Sequence, residues 1–222
     1  MSRLASPAPR RIARITCEVL RPVPVAALEV AASIVRSGKR LDLVEARLVD
    51  ETGAVVMVAS AWRLPDERID LPQKAGGEVP DASVASASER DFFPVSYDVG
   101  YHTATDWRFV RGAWLEPGPA MAWTRSRVPL VEGENPSWIE RLLIAADTAS
   151  GISAVLDPLV FFFKNVDLTV EVDRLSDEEW VGVDAVTDLP GTNVGFARAT
   201  LFDSRGAVAR SSQTLLIAAR ED

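Results

Sequence analysis

Residues 15–60 read ITCEVLRPVPVAALEVAASIVRSGKRLDLVEARLVDETGAVVMVAS, and residues 168–213 read LTVEVDRLSDEEWVGVDAVTDLPGTNVGFARATLFDSRGAVARSSQ. Laid over one another without a gap, at an offset of 153, they share 13 identities in 46 pairs, among them Thr16/Thr169, Glu18/Glu171, Arg21/Arg174, Asp50/Asp203 and Gly53/Gly206. Ordinary residue frequencies would give about three. The chain is therefore read as a duplication, and self-similarity of this kind governs the fold before any local signal does.

Each copy reads as consecutive strands. Ile15, Cys17 and Val19 alternate with Thr16 and Glu18, and Leu168, Val170 and Val172 alternate with Thr169 and Glu171, the period of a half-buried strand. The third and fourth strands of each copy are expected to meet at Asp50-Glu51-Thr52-Gly53 and Asp203-Ser204-Arg205-Gly206, where a glycine supplies the positive φ of a hairpin turn. Both copies are antiparallel meanders.

Ahead of the second meander the pattern predicts one long helix, Pro136 to Asp157, capped by Asn135, with Pro136 at its first position and Pro158 as its stop. Such a helix reaches roughly 33 Å, enough to lie across a whole sheet. The predicted class is α+β, an antiparallel sheet wrapped on a long helix. The same offset leaves no room for a helix ahead of Ile15, so the first copy is expected without one. Either a longer ancestor has lost its start, or something else covers the apolar row Ile15, Cys17, Val19 and Val30. That uncovered row predicts self-association into a homo-oligomer. The organisation expected is a first, strands-only repeat over 1–64, a linker over 65–100, and a second repeat with its helix over 101–222. Strands in the second part are expected near His102 to Leu115 and Ala120 to Leu130.

Composition removes several function classes. With 32 acidic and 24 basic residues, a net charge of −8 and 47% hydrophobic residues, the chain is neither disordered nor a nucleic-acid binder driven by bulk charge. One cysteine, Cys17, and one histidine, His102, make neither a disulfide nor a zinc site, so no metal is expected and the reducing cytoplasm is the expected location. The strictly apolar runs Leu142–Ala146 and Leu159–Phe163 are far too short for a membrane span. Arginines in Met1–Arg11 lack the hydrophobic run of a secretory signal behind them.

Further stretches carry a family likeness: Leu20-Arg21-Pro22-Val23-Pro24-Val25 with Ser60-Ala61-Trp62-Arg63, Glu116-Pro117-Gly118-Pro119, Ala145-Ala146-Asp147 with Ser150-Gly151, Asn165-Val166-Asp167-Leu168-Thr169, and Ser212-Gln213. In order and spacing the chain resembles the acyl-CoA thioesterase II type and its thioesterase-like relatives, the double hotdog proteins. The resemblance implies a duplicated hotdog and hydrolysis of an acyl-CoA thioester to free acid and CoA by a directly activated water, with no covalent intermediate. It needs no cofactor, CoA arriving as part of the substrate. It places Asp147, Asn165 and Gln213 as the residues that orient the water. Asn165 stands where the best-known members carry threonine, and the family's first helix has no counterpart here.

The residues weigh in separately. Asp147 has Leu143, Ile144, Ser150 and Gly151 as helical neighbours, so its carboxyl should be desolvated, its pKa raised and a partner demanded. The structural alternative is an aspartate bonded to backbone or turned to solvent. Gln213 falls on the apolar row of Ala209, Ser211, Leu215 and Ile217, opposite Ser60 of the first copy in the gapless alignment. A buried amide there either binds a ligand or completes a polar network. Counting by twos, Asn165 faces away from the helix unless a bulge separates it from Asp167. Backbone N–H groups of Ser150 and Gly151 are candidates for polarising a thioester carbonyl. Cys17 reads as a small hydrophobe, and His102 as structural, which disfavours a dehydratase. No Gly-x-Ser-x-Gly elbow occurs. The six tryptophans read first as core anchors. A non-catalytic acyl-CoA-binding or structural protein is the alternative that fold alone does not exclude.

Overall fold

The computed structural model describes residues 1–6, 8–67, 69–70 and 82–220. Its elements in chain order are β1 (Arg10–Val19), β2 (Leu28–Ser37), β3 (Asp42–Asp50), β4 (Val55–Pro65), a 3₁₀ turn at Val84–Ser86, α1 (Tyr101–Ala104), β5 (Thr105–Arg111), β6 (Ala120–Ser126), α2 (Trp138–Asp147), α3 (Ala149–Ile152), β7 (Phe161–Asn165), β8 (Asp167–Val172), β9 (Val181–Asp188), β10 (Val194–Asp203) and β11 (Gly206–Ala219). Residues 68 and 71–81 of the expected linker lie outside the described residues. No described helix is long and apolar enough to cross a membrane.

All pairings are antiparallel within one sheet, in the order β2-β3-β4-β1-β8-β11-β10-β9-β6-β5, with β7 also on β11. Four strands on either side of the β1·β8 seam correspond, β1 to β8, β2 to β9, β3 to β10 and β4 to β11. At the seam Thr16 pairs with Thr169, its counterpart in the alignment, and the two hydroxyls hydrogen-bond at 3.1 Å. Beyond β9 the second half adds β6 and β5; beyond β2 no described strand follows.

One register differs between the halves. Thr16 pairs with Ser60 and Thr169 with Ser212; Val44 pairs with Ala61 and its equivalent Ala197 with Gln213. The structural counterpart of Gln213 is thus Ala61, which corrects the gapless expectation of Ser60. The cause is the hairpin. Asp50 closes on Ala54 around three residues, whereas Asp203 pairs directly with Gly206 around two. Gly53 and Gly206 both hold positive φ, 83° and 117°, as the turns require.

The helix is shorter than its flanking prolines imply. It begins at Trp138, because the Glu140 carboxylate accepts from both the N–H (2.6 Å) and hydroxyl (2.8 Å) of Ser137, a capping box that Asn135 does not match. It breaks at Thr148, whose hydroxyl donates to the Ala145 carbonyl at 2.6 Å, the local competition by which threonine unsettles a helix. The short α3 ends at Ile152, five residues before Asp157. Buried Trp138, Leu142, Ala145, Ala146, Ala149 and Ile152 pack against β6, β8, β9 and β10, where they join Val170, Val183, Ala197 and Leu201 in the core.

The inner face of the first repeat carries no described helix, yet it is not bare where expected. Ile15 is 5% exposed and Cys17 and Val19 are half-buried, while Val30 is 69% exposed. N-terminal residues close part of the sheet. Met1 and Leu4 pack on the core, the Leu4 carbonyl accepts from Arg63 at 2.6 Å, and the Ser6 hydroxyl reaches Asp42. Beneath them Asp42, wholly buried, is held between Arg10 (3.1 Å) and Arg63 (3.0 Å). Burial opposes its ionisation, but a Gly38 N–H bond and the two guanidinium groups overcome this and hold its carboxyl below the ordinary range.

Candidate active site

Where α2 gives way to α3, the break releases one backbone donor. Thr148 N–H turns to Ala145 and Gly151 N–H to Thr148, while Ser150 N–H finds the Gln213 side-chain oxygen at 3.1 Å. The Gln213 amide nitrogen donates to the Asp147 carbonyl at 2.9 Å and approaches its carboxylate at 3.5 Å. Gln213, 1% exposed, thereby bridges the end of one helix and the start of the next. An alanine there would leave the Asp147 carbonyl and the Ser150 N–H without this partner. Gln213→Ala is accordingly expected to lower stability by about 1–3 kcal/mol, measured by denaturant unfolding, as well as to slow any reaction at the site.

Asn165 enters the same cluster. Its amide nitrogen donates to Asp147 Oδ1 at 3.0 Å, and its Oδ1 accepts from the Ser150 hydroxyl at 3.1 Å. The parity objection is met by an irregularity. Leu215 pairs with Asn165 and Ser212 with Thr169, so β7–β8 holds one residue more than β11 over the same span. Val166, between the two strands, absorbs it. This extra residue turns Asn165 to the face of Gln213 and Leu215.

Asp147 is solvent-accessible, yet protein crowds its carboxyl. Loss of hydration raises its pKa above the ordinary carboxylate range, with the Asn165 hydrogen bond acting in the opposite sense. Cys17 on β1 feels the same environment. Burial, with the charges of Asp147 and Glu18, pushes its thiol up to about 11, so it is a neutral thiol at pH 7. All five expected site residues, Asp147, Ser150, Gly151, Asn165 and Gln213, meet at one helix break. Ser150 N–H and Gly151 N–H are both engaged within the protein, so neither stands free toward a carbonyl.

Beside Ser150 a small apolar recess is lined by Val155, Leu156, Phe163, Leu189, Leu215 and Ile217. A groove of about 590 Å³ lies instead across β8, β9, β10 and β11 and includes Arg111, Arg198 and Arg210. These arginines are paired with Asp184, Asp188 and Asp173, and the groove contains none of the five clustered residues. His102 stacks on Phe92 with ring centroids 5.5 Å apart, as a structural residue does. Trp107, Trp114, Trp123 and Trp138 are buried. No group of three His, Cys, Asp or Glu among the described residues is placed to hold a metal ion.

A large antiparallel sheet packed against a helix in this manner is a hotdog fold. A hot-dog-fold protein from Alicyclobacillus acidocaldarius superposes with a TM-score of 0.75 at 14% identity, over 98% of this chain and 82% of that one. Acyl-CoA thioesterase II TesB2 from Mycobacterium marinum gives a TM-score of 0.68 at 16% identity, over 96% and 82%. The tesB protein of Mycobacterium avium subspecies paratuberculosis gives 0.65 at 12%, over 94% and 79%. The acyl-CoA thioesterase C-terminal domain model matches residues 77–217 and the acyl-CoA thioesterase N-terminal domain model residues 1–64. The chain belongs to the acyl-CoA thioesterase family. No curated protein sequence matches it.

Proposed function

We propose that the protein is an acyl-CoA thioesterase with a double hotdog architecture, repeats over 1–64 and 101–222 joined by 65–100, and a first repeat without its own helix. The observation that carries the activity is the hydrogen-bonded set of Asp147, Asn165, Gln213 and Ser150 around the interrupted helix. Asp147, open to water and held by Asn165, takes a proton from the attacking water. The water oxygen bonds to the acyl carbon, the carbon–sulfur bond breaks, and the CoA thiolate leaves and is protonated. Gln213 positions the carboxylate and the Ser150 N–H. For that N–H to polarise the thioester oxygen it must exchange Gln213 for substrate. The apolar recess beside Leu215, about 10 Å³, has room for about one water, so an acyl tail entering there must displace its lining side chains. CoA enters only as part of the substrate, and the assigned location is the cytoplasm.

The test is release of free CoA from acyl-CoA esters of several chain lengths by the purified protein. Turnover abolished by change at Asp147 supports the reading, and no turnover with any chain length would overturn it. One observation favours a non-catalytic acyl-CoA binder: the Ser150 and Gly151 N–H groups are both engaged within the protein, to Gln213 and Thr148, and neither stands free toward a thioester carbonyl. Binding without hydrolysis in the same assay would establish that alternative.

A pH effect follows from Asn165. A proton-accepting Asp147 must be ionised, so kcat/KM rises with pH through its pKa, which lies above the ordinary carboxylate value. The Asn165 hydrogen bond favours the ionised form, and its removal raises the pKa further. The acid limb of the kcat/KM profile is therefore expected to move to higher pH in Asn165→Ala.

A further inference from the structure

The two ends of the sheet are finished differently. At β5, Ser88 bridges to Phe109 through two backbone hydrogen bonds of 2.9 and 2.7 Å. At β2, no described residue pairs with the outer edge. β2 is ten residues long and nearly all of it is exposed, including Val30, Ile34 and Val35. It contains neither proline nor lysine; its guards are two charges, Glu29 and Arg36, and a bulge at Val35. Its counterpart β9 has that same edge occupied by β6, with Ala185, the equivalent of Ala32, opposite Ala120.

We propose that β2 is an interface for a second copy of this chain, joined edge to edge about a two-fold axis through Ala32. The occupant is argued from self-complementarity. An antiparallel pair about a two-fold normal to the sheet sets residues of the same face opposite each other. Centred on Ala32, this register places Ala31 opposite Ser33 on the outer face and Val30 opposite Ile34 on the inner face. The next step meets the β-bulge. Ile34 pairs with Val44 and Arg36 with Leu43, leaving Val35 as the additional residue. Skipping Val35 sets Glu29 opposite Arg36, both on the outer face, once at each end of the interface. The bulge is what allows the opposite charges to meet. Glu29 and Arg36 have no ion pair among those formed by the described residues; the Arg36 guanidinium lies over the Trp62 ring, 6.0 Å from its centroid, so its charge is not neutralised by a carboxylate of its own chain. Pairing also sets the exposed apolar Val30 and Ile34 beside each other across the interface.

The test is sedimentation velocity on the wild-type chain and three variants, Glu29→Arg, Arg36→Glu and the double exchange, at concentrations up to about 50 µM. Both side chains are exposed, so the variants are expected to fold, checked by circular dichroism. The wild type is expected to dimerise. Each single reversal sets like charges opposite at both ends and is expected to raise the dimer Kd at least about tenfold, and the double exchange restores it. Amide hydrogen exchange over residues 28–37 is expected to slow with dimerisation. A monomeric wild type, a dimer indifferent to both reversals, or a double exchange that restores nothing would each overturn the proposal.

Discussion

Asp147→Asn is expected to lower kcat/KM for acyl-CoA hydrolysis at least about 100-fold, the low end for a positioned acid–base group, with no fall in the thermal midpoint. The amide keeps an oxygen to accept from Asn165, and the backbone carbonyl that Gln213 binds is untouched. The stability sign follows from the carboxyl itself. Folding raises its pKa, so the folded state resists the charge, and stability from this group declines as pH rises from the unfolded pKa through the folded one. A neutral side chain removes that penalty at pH 7. An aspartate held only for structure would behave in the opposite way, losing stability on substitution, with activity falling only as the folded fraction falls. Turnover and melting measured on the same samples separate the two, and retained turnover would remove Asp147 from the mechanism.

Gly182→Ala is expected to destabilise the fold by about 3 kcal/mol, the upper part of the range for an overpacked core. Gly182 lies on β9 between Trp123 of β6 and Phe202 of β10, whose rings meet edge to face with centroids 4.8 Å apart. A Cβ at this position would stand 2.2 Å from the Phe202 ring, so the aromatic contact must open. At this chain length the loss corresponds to a melting temperature lower by roughly 6–12 °C. Phe202→Leu in the same background is expected to recover part of it, since the two sites share one contact and couple. An unchanged melting temperature in Gly182→Ala would show that the rings part without cost. The equivalent position in the first repeat is Glu29 on the exposed β2, where no ring packs across the strand.

The duplication, both meanders and the two hairpin glycines were legible in residues 15–60 and 168–213, because strand alternation and positive φ leave direct marks on sequence. Asp147 and Gln213 stood out for the same reason, being polar on apolar rows. Other features left weaker marks. The extra residue in the first hairpin changes which residue lies opposite Thr16 without disturbing the gapless alignment, so Ala61 was hidden behind Ser60. The capping box Ser137-x-x-Glu140 was readable, but the prolines at 136 and 158 drew the helix limits outward. The break at Thr148 depends on a hydroxyl choosing a carbonyl, and the bulge at Val166 on how β7 and β8 share β11. Met1 and Leu4 pack on the core from positions that no periodicity reveals.

The seam between Thr16 and Thr169 also bears on the order of folding. Every other neighbouring strand pair joins residues at most 65 apart, whereas β1 and β8 meet across some 150 residues of chain. Closing so long a loop costs entropy before any contact rewards it. The meanders, made of nearby hairpins, are the elements that form early, and the seam is the late event. A mutation confined to it, such as Thr16→Ala, is therefore expected to hasten unfolding more than it slows folding.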